Sequence, residues 1–207
     1  MKKYFLSIIL CSLYLVTNAQ IDLLEPATGF FSSYSHEDEY YPRVKKIFYD
    51  SLQYNPEARI IVMPSFSQEY LVSIDVKNRK TYLTYRIAKN QVWINKTKEN
   101  LKCTEYKMEL DNSIAKSLHE LIFTATSKVK YPDQPISGSD GTTYIFIAFE
   151  TGYGLRSGKT WSPPDCGKLH ELIEIVDWLV DCAIKGELIN QDKMQKKIND
   201  LIERFKI

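Results

Sequence analysis

Two runs of alternating residues constrain this chain more than any other feature. Across 69–76 the apolar side chains Tyr70, Val72, Ile74 and Val76 occupy every second position, and across 81–88 Leu83, Tyr85 and Ile87 do the same. A period of two is the mark of a strand with one buried face. Only Lys77-Asn78-Arg79-Lys80 separates the runs, too few residues for a crossover, so they must form an antiparallel hairpin. A lone hairpin is not stable in water. The rest of the chain has to extend it and cover its apolar face.

Residues 59–63 and 102–110 supply neighbouring strands, the latter with Tyr106, Met108 and Leu110 inward and Cys103, Glu105, Lys107 and Glu109 outward. Lys89-Asn90 makes a turn, and 91–94, around Trp93, reads as a short returning strand. Residues 142–149 are apolar on both faces, which predicts a central strand covered on both sides. Four helical stripes supply the cover. The first starts at Pro42 with Val44, Ile47, Phe48 and Leu52 and stops at Asn55-Pro56. Asp111-Asn112-Ser113 caps the second, with Ile114, Leu118, Leu121, Ile122 and Ala125. Ser162-Pro163-Pro164-Asp165 has the grammar of a third start, followed by Leu169, Leu172, Ile173, Val176, Leu179, Val180 and Ala183 and ended by Gly186. Met194, Ile198, Leu201, Ile202 and Phe205 mark the last. The expectation is a single α+β domain over 20–207: an antiparallel meander sheet with about four helices packed mainly on one face. Residues 20–41 keep no sustained period and read as an ordered but irregular lead-in.

The N-terminus points to export. Met1-Lys2-Lys3 precedes an apolar run over 4–16 and then Thr17-Asn18-Ala19, which reads as a secretory signal at 1–19 cleaved before Gln20. The run is shorter than the roughly 20 residues that span a bilayer, so no membrane span is expected after cleavage. Cys11 follows Leu10 inside the run, which argues against lipid attachment. Cleavage leaves 25 basic and 26 acidic residues, and with no basic stripe nucleic acid is not an expected partner. Three cysteines remain, Cys103, Cys166 and Cys182, an odd number for an oxidising compartment. If 163–184 is one helix, Cys166 and Cys182 lie about 24 Å apart along it. Only Cys103–Cys166 or Cys103–Cys182 could then form a disulfide.

The stretch GYGLRSGKTW over 152–161 has the glycines and the Gly158-Lys159-Thr160 of a phosphate loop. That loop needs four residues between its glycines and a helix at once after the lysine. Here the required position is Tyr153 and the next helix starts beyond Trp161, so nucleotide binding is rejected. Gly152 and Gly154 instead suit a hairpin reversal into a short strand ending near Trp161. Tyr153, Arg156, Lys159 and Trp161 still gather aromatic and cationic groups on one connection. With Asp140, they make up the candidate binding surface.

Local catalytic patterns fail one by one. His119-Glu120 has Phe123, and His170-Glu171 has Glu174, where a zinc helix needs its second histidine; no metal or cofactor is implied. Ser137-Gly138-Ser139-Asp140-Gly141 misses the nucleophile elbow, and Asp140-Gly141 reads as a tight turn. Ser113 to Lys116 fits Ser-x-x-Lys but lies in a helix start and reads as capping. Cys166 falls in the first turn of a predicted helix, the position in which thiols react most readily. Dispersed carboxylates among Glu69, Asp75, Glu105, Glu109 and Glu150 would suit a glycosidase, although charges alternating along a strand are usually its wet face. The series Glu171, Glu174, Asp177 and Asp181 reads as a solvated helix face, which Trp178 could turn into a docking surface. Asn95-Lys96-Thr97 matches a glycosylation acceptor of little specificity. The expected function is therefore a non-enzymatic binding protein of the periplasm or cell envelope, of the immunity or adaptor type, with a protein or glycan partner. The alternative is an envelope hydrolase with a dispersed carboxylate or Cys166-centred site.

Overall fold

The computed structural model describes residues 22–27, 40–95, 102–132 and 140–207. The leader at 1–19, most of the lead-in, the acceptor site beyond Asn95 and residues 137–139 lie outside them. In chain order the elements are β1 (Glu25–Pro26), α1 (Tyr40–Phe48), β2 (Ala58–Pro64), β3 (Tyr70–Lys77), β4 (Lys80–Ala88) and β5 (Cys103–Leu110). Then come α2 (Asn112–Ser127), β6 (Thr142–Glu150), β7 (Gly154–Trp161), α3 (Lys168–Lys185) and α4 (Gln191–Lys206). The strands form one sheet in the order β1-β7-β6-β2-β3-β4-β5, antiparallel throughout. This is the α+β fold that the hydrophobic periods predict.

The β3–β4 hairpin closes on Asn78 and Arg79, with φ of 54° and 65°. Two consecutive positive φ values match the right-handed twist of the flanking strands. On one sheet face Ile60, Val72, Ile74, Leu83, Tyr85 and Phe146 pack beneath α2, α3 and α4. On the other, Ile61, Met63, Leu71, Ile145 and Ile147 pack beneath Val44, Ile47 and Phe48 of α1. Three helices thus share one face and the short α1 takes the other. β6 is an interior strand with both faces covered, as its apolar composition demands.

Five expectations are corrected. Residues 91–94 form a turn: the backbone N–H groups of Val92 and Trp93 donate to the Glu69 carboxylate at 2.7 and 3.0 Å, so they are not free for a strand partner. Glu69, which also accepts from Tyr40 Oη at 2.9 Å, is fully buried, and Asp75 is buried too; the outward face of β3 is not wet because α1 and the segment after it cover it. The third helix starts at Lys168, not in the Ser162-Pro163 stretch. Ser162 Oγ accepts from Thr142 N at 2.9 Å and so belongs to the end of the sheet. The cap is long-range: Asp22 carboxylate oxygens accept from Lys168 N and Leu169 N, both at 2.9 Å, beside Gly167 at φ 94°.

The fourth correction concerns the cysteines. Cys166 is exposed and precedes the helix, so the ground for a reactive first-turn thiol is gone. Cys103 lies on the edge strand β5 over the Ile47 carbonyl, and Cys182 is buried in the three-helix core. All three are free, and neither Cys103–Cys166 nor Cys103–Cys182 is formed. Burial pushes the Cys103 and Cys182 thiols up. Trp178 is buried as well and donates from Nε1 to the Ile189 carbonyl at 2.6 Å, so it is packing and not a docking group.

Candidate functional site at the β6–β7 hairpin

GYGLRSGKTW forms the reversal and all of β7. Gly152 and Gly154 take φ of 90° and 80°, which side chains rarely adopt, and Tyr153 N donates back to the Glu150 carbonyl at 3.1 Å. Gly158 has a different reason. A Cβ there would lie 2.8 Å from Val129 Cγ1 and 2.9 Å from Leu24 Cβ, so the glycine lets β1 and the end of α2 close over the strand. It lies mid-strand in an antiparallel pair, and no helix follows until Lys168. The backbone is not that of a phosphate loop.

The pleat divides the predicted surface. Arg156 pairs with Ala148, which belongs to the three-helix core. Lys159 pairs with Ile145, which belongs to the α1 core. Successive side chains alternate faces, so Arg156 points to the helix side while Lys159 and Trp161 point to the other. Trp161 also sits roughly 17 Å along the strand from Arg156. Its ring packs on Gly141, where a Cβ would meet it at 2.5 Å, next to the exposed Asp140. The set therefore resolves into Tyr153 with Arg156 at the hairpin and Asp140 with Trp161 at the far end. Lys159, opposite Glu25 of β1, belongs to neither.

At the hairpin end the fold adds residues that sequence reading placed elsewhere. His119 and Phe123, one turn apart on α2, stack with ring centroids 5.9 Å apart, and Phe123 meets Tyr153 edge-on at 5.8 Å. The Arg156 guanidinium lies 5.3 Å from the Phe123 ring centre and 5.7 Å from that of Tyr153. His119 Nδ1 faces the Glu57 carbonyl at 2.9 Å and Nε2 faces Glu150 Oε2 at 3.0 Å. With both nitrogens against acceptors, the ring is a strut that ties β6 and the residue before β2 to α2.

Arg156 has a different standing. No hydrogen bond or ion pair holds its guanidinium among the described residues, and its Nε is buried without a partner. Two aromatic rings and the strand fix it, while its donors stay unspent. Tyr153 beside it is 68% exposed. The one available signal for the missing members was the His119–Phe123 spacing, which places two rings on one helix flank.

A second group of perturbed residues lies across the three-helix face. Asp177, on the open side of α3, has its carboxyl pushed up by burial, then by the charges of Asp181 and Glu174. It neighbours Tyr70 and Tyr144, whose hydroxyls burial and then Asp177 push up. Among the described residues no three His, Cys, Asp or Glu side chains gather as a metal site, and no helix is long and apolar enough to cross a membrane. Comparison with known proteins finds no family model, no curated protein and no solved structure that matches this chain.

Proposed function

We propose that this is an exported, non-enzymatic binding protein of the periplasm or cell envelope, which engages a protein partner through the β6–β7 hairpin end. Export rests on the leader pattern at 1–19. The single observation that carries the binding reading is Arg156, a guanidinium positioned by Phe123 and Tyr153 with no anion of its own among the described residues. A partner carboxylate reaching the terminal guanidinium nitrogens gains a paired, charge-assisted hydrogen bond that the fold does not itself supply. Arg and Tyr are also the residues that most often dominate binding energy at interfaces. The partner is expected to present an acidic side chain at its centre, as an immunity-type target or an envelope adaptor's client can.

The split of the surface sharpens the test. Affinity capture from the native envelope extract uses wild type, a Tyr153→Ala/Arg156→Ala variant and a Lys159→Ala/Trp161→Ala variant, each checked for folding. A stoichiometric partner kept by the wild type and the second variant but lost by the first supports the reading. Loss from the second variant alone, or retention by both, sinks it. The hydrolase alternative has one observation in its favour, the raised Asp177 carboxyl beside two tyrosines. Turnover of an envelope polymer abolished by Asp177→Asn would establish it instead.

A further inference from the structure

We infer that the protein carries a second binding site, on the opposite sheet face from Arg156, that takes a small anionic sugar. Beyond the C-terminal end of α1, strands β3, β4 and β5 form the floor of a concave pocket of about 110 Å³, with Leu52 and Gln53 along one wall. That is several times the space one water needs and below the roughly 300–1,000 Å³ of drug-sized sites. A ligand the size of one sugar ring suits it.

The floor holds an acceptor with nothing to accept. Asp75 has a side chain only 9% exposed, and its Oδ1 meets Arg59 Nη2 at 3.2 Å. Asp75 lines the pocket, and its Oδ2 is buried without a hydrogen-bond partner among the described residues. Because Arg59 already neutralises this carboxylate, the missing partner is a neutral donor such as a hydroxyl; an ammonium would put a second cation on one acid. Thr84, also buried in the floor, adds a hydroxyl that can donate or accept.

The rim specifies the anion. Arg86 is spent: it meets Glu105 Oε2 at 2.5 Å and donates to the Phe48 and Asp50 carbonyls at 2.8 and 2.6 Å. Both acids of the pocket are therefore paired with arginines. Lys77 and Lys107 remain, exposed and with no carboxylate partner among the described residues, and Lys107 Nζ stands 4.4 Å over the Tyr82 ring. In the β3–β4–β5 register Asp75 lies two strands and two residues along from Lys107, roughly 12 Å between Cα atoms. The lysine stem narrows that gap to about the width of one ring. A hydroxyl on the Asp75 carboxylate and an acid group on the lysines would use the groups of the pocket that neither arginine takes.

The test is an NMR titration of the protein with glucuronate, glucose 6-phosphate, glucose and inorganic phosphate. At least one of the two anionic sugars should saturate the pocket, and whichever binds more tightly tells a carboxylate from a phosphate. Glucose alone and phosphate alone should bind about tenfold more weakly or worse. Lys77→Gln/Lys107→Gln, both exposed, should weaken the anionic sugar by about tenfold with an unchanged melting temperature. Asp75→Asn, which turns the free acceptor towards a donor, should weaken it too, while Tyr153→Ala/Arg156→Ala leaves it unaltered. The inference is overturned if neither anionic sugar saturates at millimolar concentration, if the double-lysine variant binds as wild type does, or if inorganic phosphate binds equally well.

Discussion

Replacing Arg59 with Met tests the buried charge on which the α1 face is organised. The side chain is 2% exposed. It donates from Nε to Ser73 Oγ at 3.0 Å and from Nη2 to the Gln53 carbonyl at 2.7 Å and Asp75 Oδ1 at 3.2 Å, and it lies 4.6 Å from the centre of the Tyr49 ring. Methionine fills most of the volume but leaves Asp75 buried with both oxygens unpartnered. Breaking a buried pair from one side costs about 3–5 kcal/mol. Removing Asp75 as Leu should cost less, about 1–3 kcal/mol, because Arg59 keeps Ser73, Gln53 and Tyr49. With both charges gone, the double variant should be destabilised by less than the two single effects added, with a coupling of about 2–3 kcal/mol. Urea denaturation of the four proteins at neutral pH measures the cycle. An Arg59→Met cost below about 1 kcal/mol, or strict additivity, would refute the claim that this pair acts as one buried unit.

Three further predictions rest on other observations. Asp22→Ala should cost about 1–2 kcal/mol in the same assay, because it removes both acceptors at the start of α3; a change near zero would mean that water caps the helix equally well. Arg79→Gly should stabilise the fold by about 0.5–1 kcal/mol, since it relieves about 1–2 kcal/mol of left-handed strain at φ 65° against about 0.5–1 kcal/mol of added chain entropy. Asp177→Asn should raise the melting temperature at pH 7. A carboxyl pushed up in the fold by burial and then by Asp181 and Glu174 opposes folding when charged, and that penalty fades as pH falls through its folded value. The advantage of Asn should therefore vanish in acid, and an equal advantage at all pH values would rule the mechanism out.

The features legible in the sequence are those whose causes lie within a few residues. The β3–β4 hairpin follows from period and turn, α2 from its own Asp111 cap, accepting from Ser113 N at 2.7 Å, and the end of α3 from Gly186 at φ 74°. What stayed hidden is held by groups far apart in the chain. Asp22 caps a helix 146 residues away, and Glu69 takes the amides of 92 and 93 out of strand pairing. No local pattern announces either. The candidate surface divides for a different reason, since Arg156 and Lys159 are three apart on one strand and period two already separates them. Pooling them set aside the alternation of the strand that the same stretch predicts.

The two proposed sites share one origin, the unequal cover of the sheet. Seven strands span roughly 29 Å across, whereas α1, with nine residues, is about 14 Å long. A helix of that length buries Ile61, Leu71, Ile145 and Ile147 and cannot also reach the outer ends of β3, β4 and β5. Those ends would expose a broad apolar patch if they carried the same residues, and soluble chains seldom keep one. Here they carry Asp75, Thr84, Arg86 and Lys107, polar and charged groups partly shielded by the segment after α1. On the opposite face three helices close the core, and the β6–β7 hairpin passes their edge beside the α2 flank that bears His119 and Phe123. A guanidinium placed there meets rings before it meets acids. Polar groups left unpaired at the margins of good packing are where a ligand adds what the fold itself does not. That is why Asp75 and Arg156, on opposite faces of one sheet, are the two residues on which the functional tests turn.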